Sequence, residues 1–153
     1  MDDIDSKILN FLMSQGRASW AELATSLGLS APAVAERVRK LEQRGVISGY
    51  AAEVRPEQLG LRLLAFVAVV LERPEHRAPF LAFVAASPLI LECHHLAGED
   101  DYLLKVLCHD TSELEDLLSE QLKSLPGLLR TRTTIALSSA KQTRRVPLPE
   151  LSS

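Results

Sequence analysis

Four cations crowd one short segment of the chain: Arg37, Arg39, Lys40 and Arg44 stand within SAPAVAERVRKLEQRG, residues 30–45. Guanidinium and ammonium groups gathered in this way suit the oxygens of phosphate. Between residues 31 and 44 they meet only Glu36 and Glu42, a local charge of +2 in a chain whose net charge is −3. A nucleic-acid binder usually carries a basic excess across the whole domain. Here the excess is local, and the surrounding sequence must explain why it is displayed there.

Two other groups have reactive types. Cys93, His94, His95, Cys108 and His109 include good zinc ligands. His94 and His95 are consecutive on a predicted strand, so they point to opposite faces and divide the set. No metal site is expected; small buried thiols and partly exposed imidazoles fit these apolar runs better. The thiols lack C-x-x-C spacing, which points to a reduced compartment. Asp100 and Asp101 could serve as a general acid and base, yet a tight turn between strands is the commoner home for such a pair. With no phosphate loop and no Ser-His-Asp set, neither a catalytic residue nor a cofactor is expected.

The elements that position the cations are legible from their start and stop signals. Ile4, Ile8, Phe11 and Leu12 keep a helical period after Asp2 and Asp3, and Gly16 lies beyond the end. Ser19-Trp20-Ala21-Glu22 is a capping box opening a second helix that stops at Gly28. Ser30 caps a third, with Pro32 in its first turn and Gly45 after its end. Val34, Val38 and Leu41 form its inward stripe, leaving the cations on the flanks and outer side. Two helices joined by Gly28-Leu29-Ser30 make a helix-turn-helix, whose second helix fits a major groove. Ser30, Ala31 and Ala33 are small enough for close approach, while Arg37, Arg39 and Lys40 are placed for phosphates.

After Gly45, VISGYAAEV suits a small wing or connecting strand, and residues 51–61 read as a linker through Arg55-Pro56 and Gly60. The pattern then changes. LRLLAFVAVVL is a buried strand, and residues 78–86 suit a helix with Pro79 in its first turn. Two strands follow, joined at Gly98–Asp101. Asp110 caps an amphipathic helix carrying Leu114, Leu117, Leu118, Leu122 and Leu125, ended by Pro126-Gly127, and LLRTRTTIAL is the last strand. Strand, helix, strand, strand, helix, strand is the ferredoxin-like order, giving an α+β chain with residues 1–50 as one domain and 62–140 as the other. Helices cover one face of such a sheet. Residues 63–71 lack the polar alternation of a half-solvated strand, so the bare face is expected to stack on a second copy.

Taken in order, MDDIDSKIL, RASWAELATSLGLS, RVRKLEQRGVISGY, GEDDYLLKV and LKSLPGLLRTRTTIAL resemble the leucine-responsive regulatory protein and AsnC group, the feast/famine regulators, over residues 2–137. The resemblance implies a winged helix-turn-helix joined to an effector-binding ferredoxin-like domain. It implies dimers paired through their sheets that assemble into tetramers or octamers, and an amino-acid effector held near the loop GEDDY. Carried over, Gly98, Asp100, Asp101 and Tyr102 fall on that loop, with Thr133 and Thr134 on the last strand. The implied function is transcription regulation on duplex DNA, with assembly altered by the effector.

Two rival readings compete with a regulator: an enzyme like the sirohaem decarboxylases, which reuse this two-domain plan, and a metabolite-sensing partner without DNA binding. SGYAAEVRP stands where such an enzyme is expected to be rich in His and Arg. The tail KQTRRVPLPELSS, residues 141–153, reads as a surface flap rather than a second DNA contact, despite Arg144 and Arg145. The acidic N-terminus is unlike a secretory signal, and the run 63–71 is too short to span a membrane, so a cytoplasmic location is expected.

Overall fold

Reciprocal capping sets the first three helices. In the computed structural model, which describes residues 1–148, α1 (Asp3–Ser14) starts with the Asp2 carboxylate accepting from the Asp5 N–H, while the Asp5 carboxylate accepts from the Asp2 N–H. At α2 (Trp20–Leu27) Ser19 and Glu22 do the same, and Gly28 closes the helix in the left-handed region at φ 66°. Only a residue without a Cβ enters that region cheaply. The Ser30 hydroxyl accepts from the Ala33 N–H at the start of α3 (Ala31–Gln43), as its position before Pro32 predicts.

These helices pack Ile8, Leu9, Leu12, Leu23, Val34, Val38 and Leu41 into one small core. The wing expected over residues 46–54 does not form a strand. After α3 the Val46 and Ile47 N–H groups both turn back to the Leu41 carbonyl, and among the described residues no second strand lies beside them to complete a ladder. Residues 1–54 and the described tail, 141–148, make up one compact unit; residues 55–140 make up a second.

The second unit is a four-stranded antiparallel sheet in the order β2-β3-β1-β4. Its strands are β1 (Leu63–Leu71), β2 (Ile90–His95), β3 (Tyr102–Cys108) and β4 (Leu128–Ala136). Between β1 and β2 lies α4 (Arg77–Ala86). Between β3 and β4 lies α5 (Thr111–Glu115), capped by Asp110 and continued through Asp116–Leu122 with π-helical bonding. The Lys123 N–H reaches the Leu118 carbonyl, five residues back. Leu114, Leu117 and Leu122 all enter the core from this helix.

Cross-strand register divides the sheet into two faces, because directly paired residues share one. Ala65, Val67, Val69, Tyr102, Leu104 and Val106 face Phe80 of α4 and the leucines of α5, and all are buried. The opposite face carries Leu64, Phe66, Ala68 and Val70 on β1, with Leu103 and Leu107 beside them on β3. No helix of the unit covers this apolar centre, which is flanked by Arg130, Arg132 and Thr134 on one side and by Glu92 and His94 on the other.

Candidate nucleic-acid interface and effector loop

The inward stripe of α3 behaves as its spacing predicts: Val34, Val38 and Leu41 are each at most 1% exposed. By rotation about the helix, Ala33, Glu36 and Lys40 then stand on the outer side, and all three are exposed. Ser30 and Ala33 begin that outer surface without bulk, and Ala31 is half-buried against the core.

The cations differ in availability. Arg37 bends back to α1, its guanidinium meeting Asp2 at 2.7 Å and Asp5 at 2.8 Å. Asp2 is held below its ordinary pKa, first by the Asp5 backbone N–H and then by Arg37. Arg37 is therefore a clamp between helices, and a phosphate must compete with two carboxylates to engage it. Arg39 is bidentate to Glu36, at 3.0 and 2.7 Å. Lys40 meets the same carboxylate at 3.5 Å with most of its side chain in solvent. It is the most readily recruited of the three. Asp5, which completes the clamp, carries no local sequence signal for this role, since its partner lies 32 residues away.

The clamp makes a pH-dependent contribution. A carboxylate whose folded pKa is depressed stabilises above its ordinary value, 3.8 for Asp2, and that stabilisation is lost as pH falls through the folded value. Arg37→Ala is expected to lower the melting temperature of the first unit by about 4 °C at pH 7. The gap to wild type should narrow as pH falls below 3.8 and Asp2 takes up its proton. Trp20, the only tryptophan, reports this unit alone by fluorescence.

In the second unit, the loop between β2 and β3 is tied down by its own aspartates. Asp101 accepts from the Leu71 N–H at 2.7 Å and donates its N–H to the Val69 carbonyl. Asp100, 10% exposed, is held by Arg132 at 2.7 Å and Arg130 at 3.4 Å. Tyr102 turns the other way: it is 3% exposed on the helix-covered face, between the rings of Phe80 and His95, at 4.9 and 5.0 Å. Thr133 pairs with Val67 on that same face, while Thr134 pairs with Phe66 on the bare one. Gly98 sits in the loop, and a Cβ there would meet nothing within 4 Å. The six loop and strand positions therefore do not line a common cavity in one chain. Arg130 and Arg132, which escaped the sequence reading, are the residues that join Asp100 to the bare face.

Register also places the Cys and His residues. His94 lies opposite Leu103 on the bare face and His95 opposite Tyr102 on the other. Burial raises the Cys93 thiol and, with Glu113 and Asp110 nearby, pushes Cys108 up to about 11. Among the described residues no three His, Cys, Asp or Glu side chains are grouped to hold a metal ion.

A capped helix-turn-helix before a βαββαβ sheet is the arrangement of one regulator family, and comparison with family models decides the matter: residues 1–42 match the AsnC-type helix-turn-helix domain and residues 64–146 the Lrp/AsnC ligand binding domain. The chain belongs to the Lrp/AsnC family of transcription regulators. It is 43% identical to the leucine-responsive regulatory protein of Salmonella typhimurium over 148 residues, covering 95% of this chain and 90% of that one. A transcriptional regulator of Neisseria meningitidis, solved as its L-methionine complex, superposes with a TM-score of 0.93 at 32% identity, covering 96% of each chain. A feast or famine regulatory protein of M. tuberculosis, also complexed with L-methionine, gives 0.86 at 39% identity, covering 95% of this chain and 97% of that one. Lrp/AsnC membership and the antiparallel sheet agree with the fold expected from sequence. Among the described residues no helix is long and apolar enough to cross a membrane.

Proposed function

We propose that this Lrp/AsnC regulator acts in the cytoplasm as a homodimer joined through the bare sheet faces, binds duplex DNA with two α3 helices, and takes an amino acid as its effector. The apolar centre of the uncovered face, Leu64, Phe66, Val70 and Leu103, supports the pairing, because an antiparallel sheet face in water normally alternates with polar residues. Ser30, Ala31 and Ala33 approach the groove, with Lys40, Arg39 and, on leaving its clamp, Arg37 on phosphates. Two-fold symmetry sets the heads about 34 Å apart along a roughly palindromic site. The dimers assemble further into tetramers or octamers. No catalytic step is needed for this role.

The observation that carries the effector reading is the pairing of opposite charges at the GEDDY loop. A zwitterionic amino acid needs a cation for its carboxylate and an anion for its ammonium. Arg132 is 67% exposed with donors to spare, and its partner Asp100 has the complementary charge. Gly98 and Asp101 share the loop with Asp100, and Thr134 shares the bare face with Arg132, while Tyr102 and Thr133 lie on the covered face. The site is completed by a neighbouring dimer, so ligand alters assembly and hence how many heads are presented together. Methionine leads the candidates, because two relatives were solved with it.

A thermal-shift screen of the twenty amino acids tests this. L-methionine at 100 times its dissociation constant should stabilise the chain by about 2.7 kcal/mol, with the shift growing as the logarithm of concentration. Arg132→Ala should abolish the shift. A screen in which no amino acid moves the transition overturns the effector assignment.

A further inference from the structure

The tail does not belong to the sheet from which it emerges. Although the ligand-domain match runs to residue 146, residues 141–148 are part of the compact unit that contains α1–α3. Leu148, half-buried, packs against the core of Ile8, Leu23 and Val38. Residues 141–147 are exposed throughout.

Charge gives this placement its meaning. Residues 1–54 hold six Lys and Arg against seven Asp and Glu, a net −1; Lys141, Arg144 and Arg145, against Glu150 as the one acidic residue of 141–153, bring the unit to +1. Without the tail, the DNA-binding unit is repelled by a polyanion at long range. Moreover, Arg37, Arg39 and Lys40 already face carboxylates within the unit. Lys141, Arg144 and Arg145 form no ion pair with any described residue. Arg144 and Arg145 lie three and four residues from the Leu148 anchor, within about 14 Å along the chain even when extended. Their backbone can lie no farther than that from the residue packed on the three-helix core.

We propose that residues 141–148 are a second DNA-contact element, fastened by Leu148, in which Lys141, Arg144 and Arg145 bind backbone phosphates flanking the footprint of α3. This rests on the reading of α3 as the groove-binding helix and extends it. The surface flap expected from the sequence is thereby a basic arm that turns a net-negative helical unit into a net-positive one. Its contacts carry no sequence information, because they go to phosphate alone.

The test is a salt series of fluorescence-anisotropy titrations on the full chain, with a random duplex and an operator fragment. Replacing Lys141, Arg144 and Arg145 together by Ala should weaken binding to both duplexes by the same factor, about tenfold or more. It should also flatten the plot of log affinity against log salt by about 0.9 per lost contact, up to about 2.7 for each head. Melting should not change, since all three side chains are exposed. Exchanging Lys and Arg at the three positions keeps the charge and should restore both affinity and slope. A triple Ala variant that binds with the wild-type slope overturns the arm while leaving α3 as the DNA-binding element. A wild-type chain that retains no duplex even at low salt overturns the reading of α3 itself.

Discussion

Phe66→Asp is expected to convert the proposed dimer to folded monomers. Phe66 lies at the centre of the uncovered sheet face, between Thr134 on β4 and Lys105 on β3. In a two-fold interface each change occurs twice. Lys105 is already held by Glu92 at 2.8 Å, so a further carboxylate buried in this apolar face costs about 3–5 kcal/mol per subunit, and the dimer dissociation constant should rise at least about 10⁴-fold. Sedimentation at micromolar concentration then reports one chain, while the circular dichroism of the isolated unit is retained because Phe66 is outside the helix-covered core. Loss of the paired heads should reduce operator affinity by about 10²–10⁴ with α3 untouched. A Phe66→Asp protein that sediments as wild type assigns dimerisation to another surface.

Ala33→Glu separates folding from recognition. Ala33 is three residues beyond the Ser30 cap and already donates its N–H to the Ser30 hydroxyl. A glutamate at this position completes the capping box that Ser19 and Glu22 form at α2, so helix stability should hold or rise slightly. The same side chain projects a negative charge from the outer surface of α3, where the phosphates and base edges of a groove approach. Operator affinity should fall about 100-fold or more with no loss in melting temperature. Such a result cannot be ascribed to unfolding. An Ala33→Glu protein that binds as wild type removes α3 from the interface.

What the sequence disclosed and what it withheld divide along physical lines. Capping is local, and Ser19, Gly28, Ser30 and Asp110 stand where their types and spacing place them. Hydrophobic period is also local, so the stripe of α3 and the order of the strands were readable. Arg37 was not, because its carboxylate partners are supplied by a different helix and no period connects them. The wing failed for the converse reason: loose alternation in VISGYAAEV satisfies a strand's pattern, but a strand also needs a partner. The alternation that separates His94 from His95 also separates Thr133 from Thr134, and it spaces Arg130 and Arg132 onto a single face. Along β4 this alternation puts Arg130 and Arg132 on the face of Thr134, while their contact with Asp100 depends on the fold.

The effector loop follows the same logic. Asp100 and Asp101 look equivalent in sequence, yet Asp101 is committed to the Leu71 backbone and Asp100 to the arginines of β4. Asp100 therefore connects the loop to the face on which dimerisation is proposed.

The central claim is that two α3 helices of one symmetric dimer occupy successive major grooves. Hydroxyl-radical footprinting on an operator fragment tests it most directly. Two protected backbone patches are expected, centred about 34 Å apart, one helical turn, both lost in Ala33→Glu. A single patch, or a pair that survives that substitution, contradicts it.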